Sequence, residues 1–195
     1  MHKLYLALSV WFLTSLAGLA TLAMYDYAPG LPAEQQVQEK SLSKQAGDYR
    51  LVCFIHPMCP CSEATLSELT EILERCSKLN AEIYFFIPSN GSSHWRDSRV
   101  WRDAERLARC TVFADADGAQ ALKMGAHTSG QVFLFDSANK LVFQGGVTQG
   151  RGHVGFNAGT EAILAIAAGK EPITDASRVF GCALSNRTGR QADKP

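Results

Sequence analysis

The sequence of 195 residues lacks net charge, its 19 Lys and Arg cancelling 19 Asp and Glu, and it shows no block of like charges and no internal repeat. Those absences exclude bulk nucleic-acid binding, polybasic attachment to a membrane surface and repeat architectures. Charge is dense only around Asp97 to Arg109, where Asp97, Asp103 and Glu105 interleave with Arg96, Arg99, Arg102, Arg106 and Arg109. Interleaved signs describe the solvated face of a helix better than an RNA-binding surface. No nucleic-acid partner is expected.

Charge is absent altogether from Leu4 to Met24, between Lys3 and Asp26. An uncharged stretch of that length crosses the hydrocarbon core as one helix. Lys3 on the short side places the N-terminus in the cytoplasm and the remainder outside. Residues 1–26 therefore read as a membrane anchor or signal peptide. The expected location is the cell inner or cytoplasmic membrane, single-pass, with the domain facing the periplasm or exterior. Ala20 and Ala23, with Gly18 or Thr21 two residues before, keep a cleavage site open, while the length of the run favours an anchor. Either route delivers the chain to an oxidising compartment, where cysteines form disulfides.

Residues 27–48 contain Pro, Gln and Ser without periodicity and are expected to be a linker. Tyr49 to Ile55 is then a nearly continuous apolar run, as in a strand buried on both faces. His56 to Ser62 breaks it. Leu66, Leu69, Ile72, Leu73, Cys76 and Leu79 follow at helical spacing, with Glu63, Glu68, Glu71 and Glu74 assigned to the polar side. Glu82 to Ile87 is a second strand, stopped by Pro88 and the turn residues Ser89-Asn90-Gly91. A helix over Val100 to Ala108, a strand at Thr111 to Ala114 and a brief helix at Ala119 to Met124 come next. Gln131 to Phe135 and Lys140 to Gln144 are strands joined by Asp136 to Asn139. A Gly-rich loop, Gly145 to Gly155, leads to an apolar helix over Thr160 to Ala168. The order β-α-β-α-β-α-β-β-α predicts an α/β fold: a mixed sheet covered by helices, with a domain at 49–170 and a C-terminal extension at 171–195 that contains Cys182.

The chemistry-bearing residues are Cys59-Pro60-Cys61, at the junction of the first strand and its helix. Proline is preset for the first helical position, which makes Cys59 the expected N-cap and puts Cys61 one step inside. Free N–H groups and the helix dipole at that end favour a Cys59 thiolate, and a protonated His56 would push the same way. Two cysteines one residue apart within a helix would diverge by about 200°, so a Cys59–Cys61 disulfide requires Cys59 to lie outside it. A ring that small is strained and exchange-prone.

Residues from Tyr49 to about Gly169 resemble the thioredoxin-like superfamily: strand, cysteine site with Pro60, helix, strand, and later the QVFLFD hairpin with Gly145-Gly146. The resemblance implies a three-layer α/β/α domain with a mixed sheet, here preceded by one N-terminal transmembrane helix. The segments HPMCPCS, TSGQVFLFD and RGHVGFNAG are similar to RedB-type membrane-anchored proteins of that superfamily. By the resemblance, the usual Cys-x-x-Cys is shortened, with Met58 where the first cysteine would stand. Gly130, in Thr128-Ser129-Gly130, takes the place of the superfamily's cis-proline and is expected to open space beside the sulfurs.

Two functions follow. The leading one is extracytoplasmic thiol–disulfide exchange with a protein or small-molecule disulfide or dithiol partner and no cofactor, Cys59 attacking and Cys61 resolving, with Pro60 and His56 shaping the site. The alternative is a copper-binding or copper-delivery module of Sco-like type, using His56, Met58, Cys59 and Cys61 as soft ligands, with His153 as a candidate from the loop after the last strand. A peroxide-reducing thiol enzyme would need a Thr upstream of Cys59, where none stands. Cys53, Cys76 and Cys110 read as core residues acting as small hydrophobes. Cys182 reads either as a disulfide pin for the C-terminal segment or as an additional exchange partner.

Overall fold

The computed structural model describes residues 2–34, 49–89 and 95–184. The expected linker beyond residue 34, the Asn90-Gly91 part of the expected turn and residues 185–195 lie outside the described residues. Helix α1 (His2–Asp26) is long and apolar enough to cross a membrane, and none of it is buried against the rest of the chain.

The sheet is organised around β1 (Tyr49–Ile55), which pairs in parallel with β2 (Leu79–Ile87) and antiparallel with β4 (Gln131–Asp136). Adding β3 (Cys110–Ala116) beside β2 and β5 (Leu141–Gly145) beside β4 completes the order β3-β2-β1-β4-β5. Side chains alternate across a strand, so β1 feeds two cores at once. Leu51, Cys53 and Ile55 join Leu69 and Ile72 of α2 (Ser62–Arg75), Val100 and Trp101 of α3 (Arg99–Glu105), and Ala162 and Ile163 of α5 (Ala158–Ala167). Val52 and Phe54 face the other way, toward Phe133, Phe135 and Ala121 of α4 (Ala119–Lys123). The apolar run read from the sequence is buried on both faces for this reason.

One charge enters that strand. Arg50 is buried beside Glu82 at 3.7 Å, donates to Asn139 Oδ1 at 2.7 Å and lies 4.8 Å from the Phe135 ring centroid. Pairing of this kind offsets the desolvation of a buried cation.

The structure corrects the assignment of Glu68 to the polar face of α2. Its side chain is buried and accepts from Gly155 N–H at 2.7 Å, Asn157 Nδ2 at 3.0 Å and Thr160 Oγ1 at 2.9 Å. Helical periodicity alone cannot show that a loop will fold over a glutamate. The three bonds pin the loop after β5 and the start of α5 to α2.

Both segments flanking the expected domain fold back onto it. In the linker, Gly30 N–H donates to Val179 O at 2.8 Å, Thr128 Oγ1 to Leu31 O at 2.9 Å and Glu34 N–H to Gly125 O at 3.0 Å. On the C-terminal side, Ala176 bridges in parallel to Gln144 and Ala183 antiparallel to Thr128. Backbone groups in these segments find partners on the domain, so residues 27–34 and 171–184 are part of its packed structure.

Candidate active site

The turn between β1 and α2 is built by the backbone of His56 and Cys59. Cys59 N–H donates to His56 O at 3.0 Å, Ser62 N–H to Cys59 O at 3.0 Å, and Ser62 Oγ to His56 O at 2.9 Å. The N-cap of α2 is Cys61, with helical φ and ψ, rather than Cys59. Pro60 therefore precedes the cap instead of opening the first helical turn. The reason is local: the bonds from Cys59 and Ser62 fold residues 56–62 into tight turns before the helical pattern begins. Cys59 accordingly lies outside the helix.

Three sulfurs meet at this turn: Cys59, Cys61 and Cys182. Burial acts first on Cys59 and would raise its pKa, but it is outweighed by hydrogen bonds from the Cys182 thiol, the Cys61 N–H, the Cys182 N–H and the Cys61 thiol. The net result lies below the ordinary thiol value, because donors directed at a sulfur favour its charged form. Cys61 moves the opposite way. Burial raises it, the Cys59 charge and hydrogen bond raise it further, and the Arg151 guanidinium pulls part of the way back. Cys182 is pushed up to about 12 by burial first and then by its hydrogen bond to Cys59. One sulfur of the three is thus disposed to ionise, with the other two as its donors.

Arg151 is placed by its own contacts. Its N–H donates to Asp26 O at 2.9 Å, its Nη1 donates to Gly181 O at 2.6 Å, and its guanidinium lies 4.9 Å from the Tyr25 ring centroid. The loop beside the sulfurs therefore touches the end of α1.

Two crystal structures superpose on the chain with a TM-score of 0.57. One is a hypothetical protein from Sinorhizobium meliloti 1021, 18% identical, covering 84% of this chain and 94% of its own. The other is an uncharacterized conserved protein from Geobacillus kaustophilus, 16% identical, covering 82% and 89%. An exposed lipoprotein thioredoxin from Streptococcus pneumoniae aligns more loosely, with a TM-score of 0.43, 18% identity and coverage of 64% and 86%. No family model matches the chain, and no curated protein matches it. At such identities the likeness is one of fold. The chain has β1, β2 and β3 parallel, then the antiparallel β4–β5 pair and a closing helix, the mixed α/β arrangement that the thioredoxin-like resemblance implies.

Within that fold Gly130 stands where the resemblance puts the superfamily's cis-proline. It adopts φ +89°, a region that favours glycine, and its N–H donates to Phe54 O at 2.8 Å. The expected open space beside the sulfurs is not open. The chain's own C-terminal segment occupies it, with Ser129 N–H donating to Cys182 O at 2.8 Å. The sequence offered Cys182 as a disulfide pin or an exchange partner but could not place it here, because it is 121 positions beyond Cys61 and carries no local signal of its position.

The remaining sequence-predicted residues divide. The His56 ring lies 5.5 Å from the Phe86 ring and 5.1 Å from Trp95, centroid to centroid. Burial lowers its pKa, and its Nδ1 accepts from Met58 N–H at 3.3 Å. Burial thus disfavours the imidazolium that was expected to assist Cys59. The Met58 side chain is exposed. His153 packs edge-on against Tyr27, with ring centroids 5.7 Å apart. Among the described residues, no group of three or more His, Cys, Asp or Glu is arranged to hold a metal ion. Cys53 and Cys76 are buried in the main core and Cys110 packs against it, and burial raises the pKa of all three.

Proposed function

We propose that the chain is an extracytoplasmic thiol–disulfide exchange protein, tethered by α1, with Cys59 attacking and Cys61 resolving. The observation that carries this reading is the turn at the end of β1, which holds Cys59 outside α2 and Cys61 at its N-cap; the shifts there lower the pKa of Cys59 and raise those of Cys61 and Cys182. The thiolate is the attacking species in exchange. Cys59 attacks one sulfur of a partner disulfide, forms a mixed disulfide and releases the partner's first thiolate. Cys61 gives up its proton, attacks the Cys59 sulfur and releases the second. One partner disulfide is reduced, two thiols of this chain are oxidised, and no cofactor is needed. Pro60 and the His56 carbonyl hold the turn, and Arg151 receives the charge when Cys61 ionises. The three segments similar to RedB-type proteins contribute Cys59 and Cys61, Ser129 and Gly130, and Arg151, all at this one place.

The test is differential alkylation of reduced and oxidised full-length protein with peptide mass analysis. Cys59 should be labelled when reduced and protected when oxidised. Equal labelling in both states would end the exchange reading. Cell fractionation with protease accessibility tests the tether: the domain should be membrane-associated and digested from outside, and a soluble cytoplasmic full-length chain would remove the compartment from the argument.

A further inference from the structure

We infer that Cys182 is a third redox cysteine, which takes the disulfide over from Cys59–Cys61 and presents it to solvent as Cys59–Cys182. This deepens the exchange reading above and rests on it.

The first support is placement. The residues around Cys182 run antiparallel to residues 127–129, with Ser129 N–H bonded to Cys182 O at 2.8 Å and Leu184 N–H to His127 O at 2.9 Å. Gly30 N–H holds Val179 O at 2.8 Å, and Arg151 Nη1 holds Gly181 O at 2.6 Å. Gly181 lies so close to the Ser129 carbonyl that a Cβ there has no room. These ties come from three separate parts of the chain and fix the segment that carries Cys182 beside the cysteine turn. A thiol acting only as a small hydrophobe would sit among apolar side chains. This one is tied through Ser129 to the cysteine turn, since Ser129 N–H holds Cys182 O while Ser129 Oγ accepts from His56 N–H at 2.9 Å.

The second support is access. Cys59 is 4% exposed and Cys61 9%, whereas Cys182 is only half-buried. An external partner reaches Cys182 most easily, so a disulfide confined to Cys59–Cys61 is the least accessible of the three pairings.

The third support is the charge balance. Starting from a Cys59–Cys61 disulfide, the Cys182 thiolate attacks the Cys59 sulfur. The Cys59–Cys182 bond forms, the Cys59–Cys61 bond breaks, and the proton lost by Cys182 is regained at Cys61 beside Arg151. No net oxidation occurs. A thiolate of an external dithiol then attacks the half-buried Cys182 sulfur and expels Cys59. Cys59 is the best leaving group, because its thiolate is already held by the N–H groups of Cys61 and Cys182. The partner's second thiol closes the partner disulfide and frees Cys182, so two electrons enter the protein.

The test uses full-length Cys61→Ser and Cys182→Ser proteins, reduced, exposed to oxidised glutathione, alkylated and mapped by mass. Cys61→Ser should yield a linked Cys59–Cys182 peptide, with both thiols lost together and no glutathione retained. Cys182→Ser should yield Cys59–Cys61 alone. Wild type, which needs no variant to fold, should show both linked peptides across a glutathione redox titration. Glutathione retained on Cys59 in Cys61→Ser, with Cys182 still open to alkylation, overturns the inference, as does a wild-type titration that shows only Cys59–Cys61. If Cys59 forms no disulfide in any of the three proteins, the exchange reading itself fails and this one falls with it.

Discussion

The six cysteines divide into two sets of three, and the contrast shows what a thiol owes to its neighbours. Cys53, Cys76 and Cys110 are set in or against the main core between the sheet and α2, α3 and α5, and burial is the leading influence on each. Their thiols stay protonated and behave as apolar filler. Cys59, Cys61 and Cys182 are also buried or half-buried, yet they surround one another and a guanidinium. Burial is therefore not what separates the sets. The difference is the presence of donors: two backbone N–H groups and two thiols converge on one sulfur, and these outweigh the desolvation that would otherwise raise its pKa.

The largest effect expected from this contrast is at Cys59. Cys59→Ser should lower the rate of exchange with a low-molecular-weight disulfide by at least about a hundredfold, or roughly 2.7 kcal/mol of barrier. A variant that retained wild-type exchange would dissolve the distinction between the sets. Next comes the support beneath the cluster. Glu68→Ala removes the acceptor shared by three donors, of which Asn157 Nδ2 keeps Gly155 O and Thr160 Oγ1, and should cost about 2 kcal/mol in urea denaturation. A loss under about 0.5 kcal/mol would mean that the loop carrying Arg151 is not held by this carboxylate. In the inert set, Cys53→Ala should cost about 1 kcal/mol of stability through lost packing and leave the exchange rate unchanged. A fall in exchange rate with no change in stability would put Cys53 in the wrong set.

The smallest effects concern pH. The pKa of Cys59 is depressed, so its thiolate persists as pH falls below the ordinary thiol value and is lost only on passing the lower, folded-state value. The stabilisation it brings follows the same sign: present above the unfolded pKa and lost as pH falls through the folded one. Alkylation of Cys59 followed against pH should show that lowered midpoint, and Cys182→Ala should move it up by removing the thiol donor. His56→Phe should leave it in place, because the His56 ring is spent on Phe86, Trp95 and the Met58 N–H. An upward shift in His56→Phe would restore the imidazolium that the sequence suggested.

Much was legible from the residues in order. The apolar run of β1, the helical spacing of α2 and the hairpin of β4 and β5 each follow from a period of side chains along a short stretch, and local chemistry decides those elements. The uncharged run of α1 is legible for the same reason. Cys59-Pro60-Cys61 stood out because a proline and two cysteines at a strand-to-helix turn make a local signal. Two things were decided only by tertiary structure. Glu68 belongs to a buried network because residues 155–160 fold over it, a contact 87 to 92 positions away in the chain. Cys182 belongs with Cys59 because the segment from Val179 to Leu184 lies along Thr128 and Ser129, in space that Gly130 leaves free. No periodicity in 171–184 announces that return. It is set by backbone hydrogen bonds and glycine-sized clearances between segments distant in sequence, and such contacts have no one-dimensional trace.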